Sequence, residues 1–186
     1  MDLDTFWGLI ERARAAVGDR ADDRDSPDDP LVPAVVDLLV ALEPAGIIAF
    51  GQRYADVWWS AYRWPLWVAA YLIEGGCGDD GFMDFRAGLV LQGRRTFERA
   101  VADPDSLADH PVVRRMANEG RGWLGCEAMQ YATGNAYQRR VGETDSYEAA
   151  LAAVRPEEPA LGEQWNPEED PDETRRRLPR LSALFL

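Results

Sequence analysis

The sequence contains no lysine, and all twenty of its basic residues are arginine. A lysine Schiff base and the phosphate-binding lysine of a P-loop are therefore excluded. The single histidine, His110, precedes Pro111 in a predicted loop, so a multi-histidine metal site cannot be built. A Ser-His-Asp triad would have to use His110, and no G-x-S-x-G motif accompanies it. Any catalysis must use carboxylates, Tyr, Cys, Arg or a carboxylate-bound metal.

Cysteines and long apolar runs are also scarce. Cys77 and Cys126 lie far apart and are too few for a four-cysteine zinc site, so we expect free thiols. The sequence contains no run of about 18 apolar residues, so no membrane-spanning helix is predicted. Residues 1–4 are acidic and lack the basic segment of a signal peptide. These features predict a cytoplasmic protein that does not associate with membranes.

The net charge of −13 argues against nucleic acid as a partner, because nucleic-acid binding needs a basic face against the phosphates. A basic peptide or protein partner is compatible with this charge. The alternative is that the acidic surface only keeps the protein soluble. The 186 residues, 46% of them hydrophobic, suit a single domain with a core of its own. We expect a monomer or a small homo-oligomer and no cofactor.

Apolar residues recur at helical spacing along most of the chain, which predicts an all-α fold of about eight helices and no strand. Residues 1–154 form the predicted helical domain. Residues 155–186 add an acidic, extended arm and a C-terminal helix that docks on the same domain. The longer predicted helices cover residues 4–17, 31–42, 44–63, 65–74, 80–92, 94–102 and 122–140, with shorter ones over 147–154 and 173–185. Residues 19–30 and 103–121 carry loop signals.

A Gly-rich turn with two adjacent aspartates joins the two helices of a predicted central hairpin, whose sequence over residues 71–86 is YLIEGGCGDDGFMDFR. Asp79 and Asp80 could cap the second helix, bind Mg²⁺ or Ca²⁺, or act in acid–base catalysis. Capping is the favoured interpretation, since a helix needs a cap at that point and the spacing does not match an EF-hand. Cys77 lies near the start of the same helix, whose dipole would favour a thiolate nucleophile, but a packed or inert thiol is the favoured interpretation.

Two charged residues interrupt apolar stripes. Arg86 lies one turn after Phe82, and Glu127 lies between Trp123 and Tyr131 at a spacing of four residues. Since an unpaired buried charge costs several kcal/mol, each residue needs a partner. Arg86 with Glu127 is one candidate pair, and Arg53 is a possible third member.

Two interpretations of this pair stay open. One is a structural ion pair that fixes helix packing. The other is a polar groove for an anionic or amide ligand, lined by Trp64, Tyr71, Arg86 and Glu127.

Several segments together resemble the bacterial family catalogued as domain of unknown function 4240. The matching motifs are Phe6-Trp7-x-Leu-Ile, Ala61-Tyr62-Arg63-Trp64-x-Leu66-Trp67, Ala69-Ala70-Tyr71-Leu72-Ile73, Gly75-Gly76-Cys77-x-Asp79-Asp80-Gly81-Phe82-x-x-Phe85-Arg86, Gln92-Gly93-Arg94, Glu127-Ala128 and Leu178-Pro179-Arg180-Leu181. The resemblance covers most of residues 3–131 and the final helix. It implies a small bacterial cytoplasmic domain and draws attention to residues 75–86, but it implies no mechanism.

The shortage of catalytic side chains favours a non-enzymatic binding or interaction module for a peptide, a protein or a small polar ligand. The alternative is a carboxylate-based enzyme, with or without Mg²⁺, that uses the turn of Asp79 and Asp80, with Glu127 and Cys77 as further candidates. A third hypothesis is a helical scaffold or immunity-type protein that masks a basic partner through its surface charge.

Overall fold

The computed structural model describes residues 1–23, 30–154 and 157–186, in which all regular secondary structure is helical and no strand is present. The described residues form eleven α-helices and two 3₁₀ segments. The α-helices are α1 (Leu3–Val17), α2 (Leu31–Val40), α3 (Pro44–Ser60), α4 (Trp64–Glu74), α5 (Asp79–Leu91), α6 (Arg94–Ala102), α7 (Pro111–Glu119), α8 (Glu127–Val141), α9 (Asp145–Ala152), α10 (Pro171–Arg177) and α11 (Pro179–Phe185), and the 3₁₀ segments are Gly18–Asp22 and Pro104–Asp109. The prediction of an all-α fold is confirmed.

The helix count exceeds the predicted one at two places. Residues 103–121, predicted as mixed structure, contain a 3₁₀ segment followed by α7. The single helix predicted over 173–185 is two helices, because Leu178 leaves the helical conformation and Pro179 starts α11. The charged loop predicted over 19–30 begins as a 3₁₀ segment, and its residues 24–29 lie outside the described residues.

Helix α5 is the central element of the fold. Its side chains from Phe85 to Leu91 are all buried, and it packs against α3 and α8 as well as against α4 and α6. The turn before it follows Gly75, which ends α4 in the left-handed conformation (φ 68°) that only glycine adopts at no cost. The hairpin of α4 and α5 thus sits with its second helix inside the core.

The predicted cap of α5 is wrong. Gly78 is the N-cap residue, no side chain caps the helix, and Asp79 and Asp80 are its first two residues. Both carboxylates are exposed in the first turn, where they complement the positive end of the helix dipole. The reason is that the turn leaves the extended conformation at Gly78, one residue earlier than a side-chain cap by Asp79 would require.

The segment of residues 120–126 packs backbone to backbone against α5. The Cys126 amide donates to the Asp84 carbonyl at 2.8 Å, and the Gly125 amide donates to Oε1 of Glu74 at 3.0 Å. The contact is possible because Gly88 has no side chain; a Cβ there would lie 1.8 Å from the Leu124 carbonyl oxygen. Helix α8 therefore begins at Glu127, five residues after the predicted start at 122.

The described part of the C-terminal arm, residues 157–170, carries no helix and runs across α4. The Trp64 amide donates to the Leu161 carbonyl at 2.9 Å, and the Trp64 indole donates to the Trp165 carbonyl at 2.9 Å. Helix α11 follows with Leu181 fully buried and its amide bonded to the Asp105 carboxylate at 2.9 Å. Among the described residues, no helix combines the length and apolarity needed to cross a bilayer.

Candidate functional site

A cavity of about 930 Å³ opens beside α3, and we call it the central cavity. Helix α3 contributes the largest share of the lining: Ala49, Gly51, Gln52, Arg53, Tyr54, Ala55, Asp56, Trp58 and Trp59. The other lining residues include Asp79, Phe82, Met83 and Arg86 of α5, Tyr147, Glu148 and Leu151 of α9, and Met1, Tyr62, Trp67, Gln130 and Glu158. This volume is in the range of small-molecule sites.

Arg86 lies at this cavity in a cluster of rings that we call the aromatic box: Trp58, Trp59, Tyr62 and Phe82. Its side chain is only 2% exposed, and its Cζ lies 3.5 Å from the centre of the Trp58 ring. The Tyr62, Phe82 and Trp59 ring centres follow at 4.8, 4.9 and 5.4 Å. The ring faces stabilise the guanidinium by cation–π interaction, which a desolvated site strengthens.

The hydrogen bonds of Arg86 are few and long. Its Nε donates to the Phe82 carbonyl at 3.3 Å, and Nη1 donates to the Trp58 carbonyl at 3.4 Å. Burial lowers the pKa of Arg86 to about 10, partly offset by Tyr62, Tyr54 and Glu158. The side chain is therefore a cation at neutral pH, and no carboxylate in the described ranges forms an ion pair with it.

The predicted pairing of Arg86 with Glu127 is wrong. Glu127 is the first residue of α8 and is exposed, and its charge acts on Asp84 instead. Burial raises the pKa of Asp84, a hydrogen bond from Gln130 lowers it, and Glu127 and Asp80 raise it further. The pairing fails because α8 starts late, so Glu127 stands at the helix end rather than in a buried stripe. Arg53 does line the central cavity, but it donates to the Met1 carbonyl and to Asp56.

Trp64 and Tyr71, the other two predicted groove residues, line a second cavity of about 520 Å³. Its opposite wall is the arm around Trp165 and Glu168, and the Tyr71 hydroxyl is hydrogen-bonded to the Glu168 carboxylate. The single groove expected from the sequence is thus divided. Arg86 and Arg53 lie at one cavity, Trp64 and Tyr71 lie at another, and Glu127 lines neither of them.

The candidates for catalysis are not gathered into one centre. Asp79 is exposed at the edge of the central cavity, whereas Asp80 is exposed away from it. Within the described ranges, no group of three His, Cys, Asp or Glu residues is placed to hold a metal ion. Burial, together with Glu74 and Asp84, raises the pKa of Cys77 to about 12, so the thiol stays protonated at neutral pH. The helix dipole does not overcome this desolvation.

The tyrosines of the central cavity share one property, a pKa raised mainly by burial. Burial raises the pKa of Tyr62, and the nearby Glu158 carboxylate raises it further. Burial raises the pKa of Tyr54 by a large amount. The Tyr54 hydroxyl is buried and has no hydrogen-bond partner among the described residues. Burial also raises the pKa of Tyr147. All three remain neutral near pH 7 and can act there as hydrogen-bonding groups but not as bases.

Several cavity residues were missed by the sequence reasoning. Tyr147, Glu148 and Leu151 belong to α9, which was predicted as a short helix but was given no part in a site. Glu158 comes from the arm. No local signal marks these residues, because they reach the cavity only through the packing of α9 on α3. The helical spacing of Tyr54 and Trp58 along α3 is the one local signal in this part of the cavity, and it is equally typical of core residues.

A family model described as "Protein of unknown function (DUF4240)" matches residues 1–139. The chain belongs to this family. The resemblance drawn from the sequence is confirmed for that region, while the closing segment 178–181 lies outside the DUF4240 match. No curated protein and no solved structure matches the chain. The match includes the aromatic box and Arg86, but it ends before Tyr147, Glu148 and Glu158, which complete the wall of the central cavity.

Proposed function

We propose that this DUF4240 protein is a binding module that holds a small organic molecule in the central cavity. The observation that carries the proposal is Arg86, a cation that is 2% exposed, lines the cavity and has no ion-pair partner among the described residues. A buried charge costs several kcal/mol unless another group compensates it. A ligand that supplies hydrogen-bond acceptors at this point would provide that compensation.

The composition of the walls supports binding rather than catalysis. The cavity groups whose pKa values are shifted all keep their usual protonation state at neutral pH. They are Tyr54, Tyr62, Tyr147 and Arg86. General acid–base catalysis works best with a group whose pKa lies near the working pH. Broad aromatic walls with a few polar groups are typical of ligand sites.

The proposal is tested by filling the cavity. Ala55 lines it, and Ala55→Trp would occupy its volume; Ala45→Trp is the control, since Ala45 is exposed on the same helix and lines no part of the cavity. Calorimetric titration of the full chain uses three probes that share a phenylpropyl body: 3-phenylpropionate, 3-phenylpropanamide and 3-phenylpropylamine. We expect at least one to bind, Ala55→Trp to abolish its binding, and Ala45→Trp to preserve it. Absence of binding by all three probes would refute the proposal.

A second candidate function, docking of a basic protein segment, is favoured by one exposed surface. Trp123 and Tyr131 are 49% and 59% exposed, although large aromatic side chains are usually buried. Glu127 lies midway between them in sequence and is exposed, and its charge adds to those of Asp80 and Asp84. Aromatic faces beside carboxylates suit arginine and lysine side chains.

Titration with an octa-arginine peptide at low and high salt tests this second function. We expect binding that weakens steeply with salt and that Trp123→Ala and Glu127→Gln both reduce. Glu43→Gln is the control, because Glu43 is exposed on another part of the surface near Arg140. Equal losses in Glu127→Gln and Glu43→Gln, with no loss in Trp123→Ala, would show attraction to the net charge alone and would refute a specific surface.

A further inference from the structure

We propose that the ligand of the central cavity is an organic anion, a carboxylate carried on a flat apolar body, with Arg86 as the cation that receives it. This inference rests on the proposed function, because it names the class of molecule that the same cavity would hold. Three features of the cavity point to this class: the unused donors of Arg86, the indole of Trp59, and the shape of the aromatic walls.

Arg86 has spare hydrogen-bonding capacity. A guanidinium carries five N–H donors, and the structure gives Arg86 two bonds, at 3.3 and 3.4 Å, to the carbonyls of Phe82 and Trp58. Both distances exceed the usual N–H···O range, so even these donors are weakly used. No other described acceptor takes the remaining N–H groups. A carboxylate matches the planar fork of a guanidinium better than a neutral acceptor does.

The Trp59 ring borders both the central cavity and a neighbouring pocket, and it carries a second indole N–H close to Arg86. The neighbouring indoles are engaged: Trp58 donates to the Met83 carbonyl at 3.2 Å, and Trp67 donates to the Cys77 carbonyl at 2.9 Å. The Trp59 indole N–H has no acceptor within the described ranges, although its ring lines the cavity 5.4 Å from the Arg86 Cζ. An anion beside Arg86 could therefore also accept a hydrogen bond from Trp59.

The aromatic walls define the rest of the ligand. Trp67 and Phe82 stack with ring centres 4.7 Å apart and an interplanar angle of 16°, which presents parallel edges of two rings to the cavity. Tyr62 stands 6.1 Å from Phe82. Such surfaces favour a flat, apolar body by offset stacking and edge-to-face contacts.

The acidic residues at the cavity do not contradict an anionic ligand. Asp79 and Glu148 are exposed, so water and salt screen them. Glu158 is also exposed, although its charge still acts on Arg86 and Tyr62. Asp56 is paired with Arg53 at 3.0 Å. Arg86 is desolvated, so water screens its charge little and the charge acts strongly on a nearby ligand.

The three phenylpropyl probes separate this inference from the proposed function, since they differ only in the charge of the head group. We expect the full chain at pH 7.5 to bind 3-phenylpropionate at least about tenfold more tightly than 3-phenylpropanamide, with 3-phenylpropylamine weakest. Equal or tighter binding of the amide or the amine would overturn the anionic class while leaving the binding function intact. Absence of binding by all three would overturn both.

Variants identify the receiving group. Arg86→Met should abolish the protein's preference for the carboxylate probe over the amide probe, and Arg86→Lys should retain part of that preference. Arg139→Met is the control and should leave the preference unchanged, because Arg139 is exposed and paired with Asp37. If Arg86→Met does not fold, Trp59→Phe serves instead, and it should lower carboxylate affinity about threefold or more relative to amide affinity. A preference that survives every folded variant would overturn the role of Arg86.

Discussion

The contact between α5 and the segment before α8 predicts that Gly88→Ala will severely destabilise the protein. Alanine normally stabilises a helix interior by about 0.5–1 kcal/mol relative to glycine. At residue 88, however, the new Cβ would lie 1.8 Å from the Leu124 carbonyl oxygen and 2.9 Å from the Gly125 carbonyl carbon. Both neighbours are backbone atoms, so no side-chain rotation relieves the clash, and the two segments must separate by about 1 Å.

The cost of that separation can be worked out from what the contact holds. The hydrogen bond from the Cys126 amide to the Asp84 carbonyl, 2.8 Å long, contributes about 1 kcal/mol. Leu124 is fully buried, and removing it from the core costs about 2 kcal/mol. After the helix-propensity gain of alanine is subtracted, we expect Gly88→Ala to lower the free energy of unfolding by about 2 kcal/mol.

Urea denaturation followed by circular dichroism measures this loss as a shift of the midpoint at unchanged slope. Gly8→Ala is the matched control, because Gly8 is an exposed residue within α1 whose added Cβ would meet no atom within 4 Å. It should stabilise the protein by about 0.5–1 kcal/mol. A Gly88→Ala variant as stable as the wild type would refute the close approach of the two backbones.

Three further predictions concern titratable groups. Tyr54→Phe removes a buried hydroxyl that has no partner among the described residues, so urea denaturation should show unchanged stability or a gain of up to about 2 kcal/mol; a loss of 1 kcal/mol would contradict this. In a Cys126→Ala chain, iodoacetamide should modify Cys77 at pH 8 at least about 100-fold more slowly than after unfolding, because the folded pKa is about 12; similar rates would contradict it. Arg176 and Arg177 lower the pKa of Glu173 from 4.5 to about 2, so the stabilisation of α10 is present above pH 4.5 and lost as the pH falls through about 2. Carbon-detected NMR should place its titration midpoint near 2, and a midpoint above 4 would show that the cluster does not form.

Helix α5 connects the stability of the fold to the proposed site. Arg86 and Gly88 are two residues apart on this helix, so Arg86 meets the aromatic box while Gly88 meets the segment before α8. A displacement of α5 at Gly88 would therefore also move the cation of the central cavity. We therefore expect substitutions at this packing contact to alter ligand binding.

The fold class and most of the helices could be predicted from local features of the sequence. Apolar spacing predicted α1 and α6 to within one residue, and Gly75 marked the end of α4. These features are local, since each depends on side chains three or four positions apart and on the backbone freedom of one residue. The same spacing also showed that Arg86 enters an apolar stripe and needs compensation.

The surroundings of Arg86, in contrast, depend on tertiary packing and could not be predicted from the sequence. The sequence offered Glu127 as the partner, but contact with α5 holds residues 120–126 out of the helix, so Glu127 is exposed at the first turn of α8. The rings of α3 take its place around the guanidinium, and α9 and Glu158 complete the cavity. Helical spacing specifies which side of a helix is apolar but not which helix faces it, because that depends on how distant segments pack around the core.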